Sequence, residues 1–412
     1  MAKKTQKIGL WLVGACGGVG STVALGLAAL SKRRANVTGL VSELPPFRDA
    51  SLVDPANIVI GGHEIREETF LGAVTNLHRR SGLFTSDLIR DCTPKLRAAQ
   101  KEMRPGTLLG CSKVVCEMAD RDGIARDRSV AHAVERLASD IINFRERMRV
   151  DDCVVINVAS SEPPMPRAKI FADWGMLEKL IAKPGKEVLP SSSIYALAAL
   201  RAGCPFVNFT PSTGICIPAI LQRAHELGLP YMGNDGKTGE TLVKSVLAPM
   251  FAMRNLEVLS WFGQNILGNR DGAVLNDPAT RQSKIQSKDG LVARIVGGSP
   301  TTKVGIEFVP SLDDWKVAWD FIHFRGFLDT KMSLQFSWCG SDSILAAPLV
   351  IDLARFAALE HSQGGVGPMR HLAFFFKDPI AAQEHDLASQ WRRLVEHVRG
   401  EVRNSKFEVR RK

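Results

Sequence analysis

The sequence predicts an α/β protein whose main domain is interrupted by an inserted α+β domain. Three observations carry this. Ile8 to Val13 is a short apolar run that stops at a glycine-rich turn, Gly14 to Gly20, and an Ala/Leu-rich helical pattern follows from Ser21 to Leu30. Short apolar runs and helical patterns then alternate as far as about residue 240, as in sheets of parallel strands covered by helices. From about Leu242 to Gly340 the chain changes to strands with alternating faces, such as Lys303 to Val309 and Lys331 to Ser337, which is antiparallel in character. The expected division is residues 1–240, completed by 341–412, for the first domain. Residues 241–340 form the insertion, assigned to substrate binding and subunit contact.

The strand, glycine turn and helix at the start form a Rossmann-like, dinucleotide-binding arrangement. Glycines let the backbone approach a pyrophosphate, and the helix amino end offers unpaired N–H donors. The spacing departs from G-x-G-x-x-G, since Gly14 and Gly17 are three apart, so Gly14, Gly17, Gly18, Val19 and Gly20 are candidates on the strength of the turn alone. A second strand is expected at Val37 to Val41, ending at Ser42-Glu43. Glu43 is then either the acid that meets an adenosine ribose, favouring NAD over NADP, or an acid on a surface loop.

Asp127 to Arg147 is a helix whose Val130, Val134, Leu137, Ile141 and Phe144 form one core stripe. Val154 to Val158 is the next strand. Ligands sit outside the carboxyl ends of parallel strands, so Ala159 and Ser160, with Asn157 and Ser161, are candidate cofactor contacts or turn caps. Ser191 to Ala202 reads as a helix and Phe206 to Phe209 as a strand leading to the loop that holds Ser212. Gly236-Lys237-Thr238 is not a P-loop, because the earlier glycine would fall at Tyr231. Leu242 to Met253 reads as a helix and Leu256 to Phe262 as a strand. Lys316 is expected to open a helix after Ser311-Leu-Asp-Asp. Ser341 and Asp342 precede the apolar helix Ile344 to Leu359, where Asp342 either caps or faces the cofactor. Leu372 to Lys377 is expected to be a last strand, and Ala388 to Val402 the closing helix.

Asn265 to Lys288 is dense in groups that act on a polar, anionic substrate. Asn265, Asn269, Arg270 and Asp271 sit in a turn flanked by Gly268 and Gly272, and Lys284 and Lys288 follow four residues apart. On a helix these two ammonium groups would be neighbours, and like charges make a proton easier to lose. On spacing alone, a solvated loop with two ordinary lysines has the stronger claim.

The chain has 412 residues, 45% of them hydrophobic and 23% charged, which is ordinary globular composition. Its net charge of +10 suits an approaching phosphorylated substrate, although much of it lies in the last turns. No basic stripe interleaved with aromatics and no nucleic-acid reading module is present. No apolar run has membrane-spanning length, and the seven residues before the first strand are no signal peptide. The eight cysteines form no C-x-x-C pair, so no zinc site, other dedicated metal-ligand cluster or disulfide framework is implied. A cytoplasmic protein is expected.

Six motifs in order make the chain resemble the inositol-phosphate synthases. Gly14 to Gly20 matches the length of the family's G-x-G-G-N-N-G, and Asn208 to Gly214 echoes N-G-S-P-Q-N-T. Gly233 to Thr241 is similar to G-D-D-x-K-S-G-Q-T, and Asn265 to Gly272 to N-H-L-G-N-N-D-G. The segment ending in Lys284 and Lys288 is similar to R-S-K-x-x-S-K, with Gln282 for the arginine, and Asp342 to Pro348 nearly keeps D-S-L-L-A-A-P. The matches span about residues 8 to 380, and the ending Phe374-Phe-Phe-Lys377 looks like the compact prokaryotic or archaeal branch. Gly18-Val19 replaces the paired Asn, Arg270 stands where Asn is common, and Asn234 replaces the first acid of D-D.

The resemblance implies NAD-dependent cyclisation of glucose 6-phosphate to an inositol phosphate by oxidation at carbon 5, enolisation, aldol closure and reduction. It places the active-site lysines at Lys284, Lys288, Lys316 and Lys377. Lys284 would be the acid/base at carbon 5, Lys377 would stabilise the carbon 5 oxyanion and enolate, and Lys288 and Lys316 would grip the phosphate. Asp235 and Asp271 would orient lysines and hydroxyls, with Asp235 and Asp342 also near the cofactor. Asn265, Leu267 and Ser212 would line the substrate pocket. A divalent or monovalent cation beside the phosphate is compatible with this, and a homotetramer is implied. The rival readings are an NAD-dependent dehydrogenase of the same layout and a non-catalytic NAD-binding protein.

Overall fold

A computed structural model describes residues 6–120, 127–165, 169–184, 189–275, 292 and 294–400. Its main sheet has seven strands. They are β1 (Ile8–Val13), β2 (Ile58–Glu64), β3 (Met103–Pro105), β4 (Asp152–Asn157), β5 (Phe206–Asn208), β6 (Pro230–Met232) and, much later in the chain, Gly367–Pro368. The order across the sheet is β3-β2-β1-β4-β5-β6, with Gly367–Pro368 at the far edge, and every pairing is parallel. The order reverses between β1 and β4, which opens a crevice at their carboxyl ends.

Both faces are covered, so β1 and β4 are buried along their whole length. Alternate residues of β1 enter different cores. Leu10 and Leu12 pack with Val23 and Leu27 of helix Gly18–Ser31 and with Val350, Leu353 and Phe356 of helix Asp342–Ser362. Trp11 and Val13 pack with Leu137, Ile141 and Phe144 of helix Val130–Met148 and with Ile194 and Leu197 of helix Ser191–Arg201. Each such fully buried side chain contributes about 1.5–3 kcal/mol.

The second sheet contains β7 (Glu257–Leu267), β8 (Thr301–Phe308), β9 (Trp315–Arg325) and β10 (Lys331–Ser341), in the order β10-β9-β7-β8. Two pairings are antiparallel, as expected, but β7 and β8 are parallel. One face packs Val258, Trp261 and Ile322 against Ala248 and Phe251 of helix Gly239–Met253.

Three expected elements are corrected. Val37–Val41 is not a strand. Val37 is exposed, and the Asp352 carboxylate takes the amides of Val41 and Ser42, closing a 3-10 turn at Val41–Glu43. The strand beside β1 is instead β2. Lys316 lies on β9 rather than at a helix start, because Asp314 accepts from Ser343 N–H and Ser341 Oγ across the chain and caps nothing of its own. Leu372–Lys377 is not a strand but mostly a 3-10 turn, Arg370–Phe375, that buries Leu372, Ala373 and Phe375. A short apolar run does not by itself separate these alternatives.

Candidate active site

A cleft of about 750 Å³ lies at the carboxyl ends of β1, β2 and β4, and residues of the second sheet and its connections close its other side. Its floor is the glycine turn. Gly14 has φ +78°, and a Cβ there would stand 2.7 Å from Ala159 Cα at the end of β4. A Cβ on Gly18 would stand 2.5 Å from Ser343 Oγ. Gly17, the residue before helix Gly18–Ser31, supplies no side-chain cap, and the first turn carries no acid. The unpaired amides and the positive end of the helix therefore face the cleft. This bare backbone cradle fits a dinucleotide pyrophosphate, as NAD would present.

At the end of β2, Glu64 accepts from Cys16 N–H at 2.9 Å and from Arg66 Nε and Nη2 at 3.0 and 3.1 Å. Burial, and then Glu64, push the Cys16 thiol up to about 12, so it is a neutral wall of the cleft. Glu64 is the last residue of β2, the strand beside β1. Glu43 does not line the cleft and instead pairs with Arg355 Nη1 at 2.7 Å. The intervening 3-10 turns lengthen the connection and carry Glu43 away from the strand end.

The opposite wall pairs cations with carboxylates. Lys377 N–H donates to Asp235 O at 2.7 Å, and Asp235 N–H to Thr210 O at 2.9 Å. This pairing, with Asp235 at φ +60°, sets two side chains together: Lys377 Nζ donates to Asp235 Oδ1 at 2.8 Å. Both are buried. Also in the lining, Lys316 Nζ lies 3.8 Å from Asp342 Oδ1, and Asn269 Nδ2 donates to Asp342 Oδ2 at 3.1 Å. Asp271 Oδ1 accepts from Ser161 Oγ at 3.2 Å, joining the turn after β7 to the end of β4.

The structure thus brings Gly14, Gly17, Gly18, Val19, Ala159, Ser160, Asp235, Asp271, Lys316, Asp342 and Lys377 into one cleft. Besides Glu43 and Asn157, four expected residues are not in its lining. Gly20 is packed inside its helix, where a Cβ would meet Ala15 O at 2.2 Å. Asn265 belongs to β7, not to a turn, and donates to Glu240 Oε2 at 2.7 Å under the second sheet. Leu267 packs with Val304 and Ile306. Ser212 Oγ accepts from Glu162 N–H at 3.1 Å and so reaches the cleft only through Glu162. Lys284 and Lys288 lie outside the described residues. The sequence reading missed Glu64, whose signal was a strand-like run, Ile58 to Gly62, ending in an acid. Asn269 was picked out as part of a polar turn but without its partner Asp342, and Asp314 was read only as part of a helix cap.

A parallel sheet with its glycine turn at the crevice, facing lysines held by carboxylates, defines a Rossmann-type dinucleotide enzyme for a small anionic substrate. The family model described as myo-inositol-1-phosphate synthase, an NAD-binding family, matches residues 8–399. Inositol-3-phosphate synthase 1 of Bacteroides thetaiotaomicron is 31% identical, over 97% of this chain and 96% of that protein. The inositol-3-phosphate synthase of Trypanosoma brucei brucei is 28% identical over 87% of this chain and 74% of that protein. The crystal structure of inositol-3-phosphate synthase from Caenorhabditis elegans shares the fold, with a TM-score of 0.85 and 22% identity over 96% of this chain and 86% of that one. A myo-inositol-1-phosphate synthase-related protein from Thermotoga maritima superposes with a TM-score of 0.76 and 23% identity, over 95% and 98% of the two chains. The chain belongs to the myo-inositol-1-phosphate synthase family.

Proposed function

We infer that this chain is an NAD-dependent, redox-neutral cyclase that converts D-glucose 6-phosphate to 1D-myo-inositol 3-phosphate. The observation that carries the reading is the buried Lys377–Asp235 pair, set in the same cleft as the glycine cradle in a chain of this family. Bound NAD supplies the acceptor for the carbon 5 hydride and the donor that restores it.

The chain's own groups position the sugar and manage its charge. Lys377, held by Asp235, directs an ammonium at the oxygen on carbon 5, where negative charge develops during oxidation and enolisation. A preorganised cation in a water-poor cleft stabilises such charge strongly. Lys316, oriented by Asp342, grips the phosphate as a point charge. Lys284 carries the proton transfers at carbon 5 and Lys288 a share of the phosphate, both by their place in the motif. Asp271, tied to Ser161, orients substrate hydroxyls and the turn that follows β7. Gly14, Gly17, Gly18 and Val19 receive the pyrophosphate with Ala159 and Ser160 beside it, and Glu64 takes the ribose.

Incubation with glucose 6-phosphate and NAD tests the reading. The reducing aldehyde should disappear, the phosphate ester should persist, and absorbance from reduced nicotinamide should stay flat. Stoichiometric NADH would mean a dehydrogenase instead.

The outer face of the second sheet carries exposed Phe262, Trp315 and Trp319, with Trp319 and Phe321 stacked at 6.4 Å. This face is the subunit contact of a homotetramer in our reading, since contiguous exposed aromatics mark interaction surfaces. A monomer in light scattering at working concentration would overturn that assignment. Among the described residues no helix is long and apolar enough to cross a membrane, and all eight cysteines are free thiols, in keeping with a cytoplasmic location.

A further inference from the structure

Away from the cleft, three side chains form a set of metal-ligand type. Glu360 lies near the end of helix Asp342–Ser362, His371 in the turn Arg370–Phe375, and His397 near the end of helix Leu387–Arg399. One ligand atom from each lies within 4.8 Å of the other two. His397 Nε2 is 2.7 Å from Glu360 Oε2. The His371 and His397 rings stack with centroids 3.7 Å apart and planes inclined by 6°. None of the three lines the cleft.

His371 is the informative member. It is 7% exposed, and its ring nitrogens have no hydrogen-bond partner among the described residues. Both helices also end here. Their carboxyl ends are the negative poles of the helix dipoles, which favour a cation.

We propose that Glu360, His371 and His397 bind a divalent transition-metal ion of the zinc class, at a site separate from the reaction cleft that staples the closing helix to the helix carrying Asp342. Two neutral imidazoles and one carboxylate form a donor set that zinc takes readily, with water completing a tetrahedron. Magnesium and calcium prefer an all-oxygen shell. The two rings stack rather than converge on one point. Parallel stacked rings direct their in-plane lone pairs along parallel lines, so one ion cannot lie in both planes. One ring has to turn. His397 is the one that does so, because its side chain is 32% exposed and, among the described residues, its only tie to the site besides stacking is the Glu360 contact. Binding exchanges one ring stack and one hydrogen bond for three metal–ligand bonds.

The test uses full-length protein stripped with EDTA, titrated with Zn²⁺ by calorimetry and with Co²⁺ by its visible d–d absorption. The parent, His397→Ala, Glu360→Gln and the cleft variant Asp235→Asn are compared. His371 is left alone because its replacement would disturb the core. The expected result is one ion per chain in the parent and in Asp235→Asn, tetrahedral Co²⁺ bands, and affinity weakened about tenfold or more in His397→Ala and Glu360→Gln. Zinc should raise the melting midpoint of the parent and leave that of His397→Ala unmoved. Indistinguishable isotherms for the parent and His397→Ala would overturn the proposal, as would loss of the ion in Asp235→Asn alone.

Discussion

The two sheets of this chain bury charge in opposite places. In the parallel sheet the polar residues gather at the carboxyl ends of the strands. Asn157 Nδ2 donates to Asn208 Oδ1 at 3.0 Å, and Asn208 Nδ2 donates to Asn234 Oδ1 at 2.8 Å, one residue before Asp235. That amide chain runs across β4 and β5 to the residue before Asp235, which pairs with Lys377 in the lining of the cleft. In the second sheet the charges lie in the middle. Lys244 Nζ sits 2.5 Å from Glu240 and 3.3 Å from Asp320, Trp261 Nε1 donates to Asp320 at 2.6 Å, and none of these residues lines the cleft. Burial pulls the Lys244 ammonium down, but Glu240 and Asp320 outweigh it and hold its pKa above the ordinary value. Burial pushes Asp320 up to about 6 against the pull of Lys244. A perturbed ion pair therefore does not by itself mark a site. In the proposed reading, the pair that serves the chemistry is the one that faces open space.

Two substitutions test that distinction most directly. Lys377→Met should lower kcat by about a thousandfold or more, because it removes a cation aimed at developing charge. NAD affinity, read by fluorescence, should stay within a few-fold of the parent. Lys244→Met should do the reverse. Removing one partner of a buried charge cluster leaves uncompensated carboxylates and costs about 3–5 kcal/mol, read as a lower urea midpoint. Activity per folded molecule should hardly change. If Lys244→Met abolished turnover at full stability, the second sheet's charges would belong to the reaction and the contrast would collapse.

The contrast also explains which parts were legible in the sequence. Strand β1, its glycine turn and the following helix are local, so an apolar run, glycines and a helical stripe were enough to find them. The motifs named Lys316, Lys377, Asp235 and Asp342, but not their pairing, because Lys377 and Asp235 are 142 residues apart. The ribose acid was sought at a fixed distance from the turn, and the segment between Lys32 and Asn57 defeats that count by folding into 3-10 turns instead of a strand. Lys316 was misread because Ser311-Leu-Asp-Asp has the form of a helix cap, while Asp314 spends its carboxylate on Ser341 and Ser343. Asn265 was read as a turn residue because a buried polar position on a strand has no local signature. Long-range partners decided each of these cases.

A third buried lysine gives the smallest and sharpest test. Lys237 lies two residues from Asp235 but points away from the cleft, where Nζ donates to the neutral amide of Gln390. With no carboxylate in contact among the described residues, burial pulls its pKa down to about 7, opposed only by Asp386 at longer range. The folded-state value lies below the unfolded one. Below pH 7 both states carry the proton and the full cost of a buried cation is present. As pH rises from 7 toward 10.5 the unfolded chain holds more protons than the folded one, so folding stability climbs with pH. The limit is about 1.4 kcal/mol per pH unit. Buried thiols act in the opposite direction above pH 9, because their folded pKa values are raised. The comparison therefore belongs between pH 7 and 8.5, as the difference between the parent and Lys237→Met, which has similar shape and no charge. Urea midpoints should rise with pH in the parent and stay level in the variant, with the gap between them closing as pH increases. Parallel midpoints would mean that Lys237 keeps its proton throughout, and that a carboxylate beside a buried lysine is not what separates the cleft pair from its neighbour.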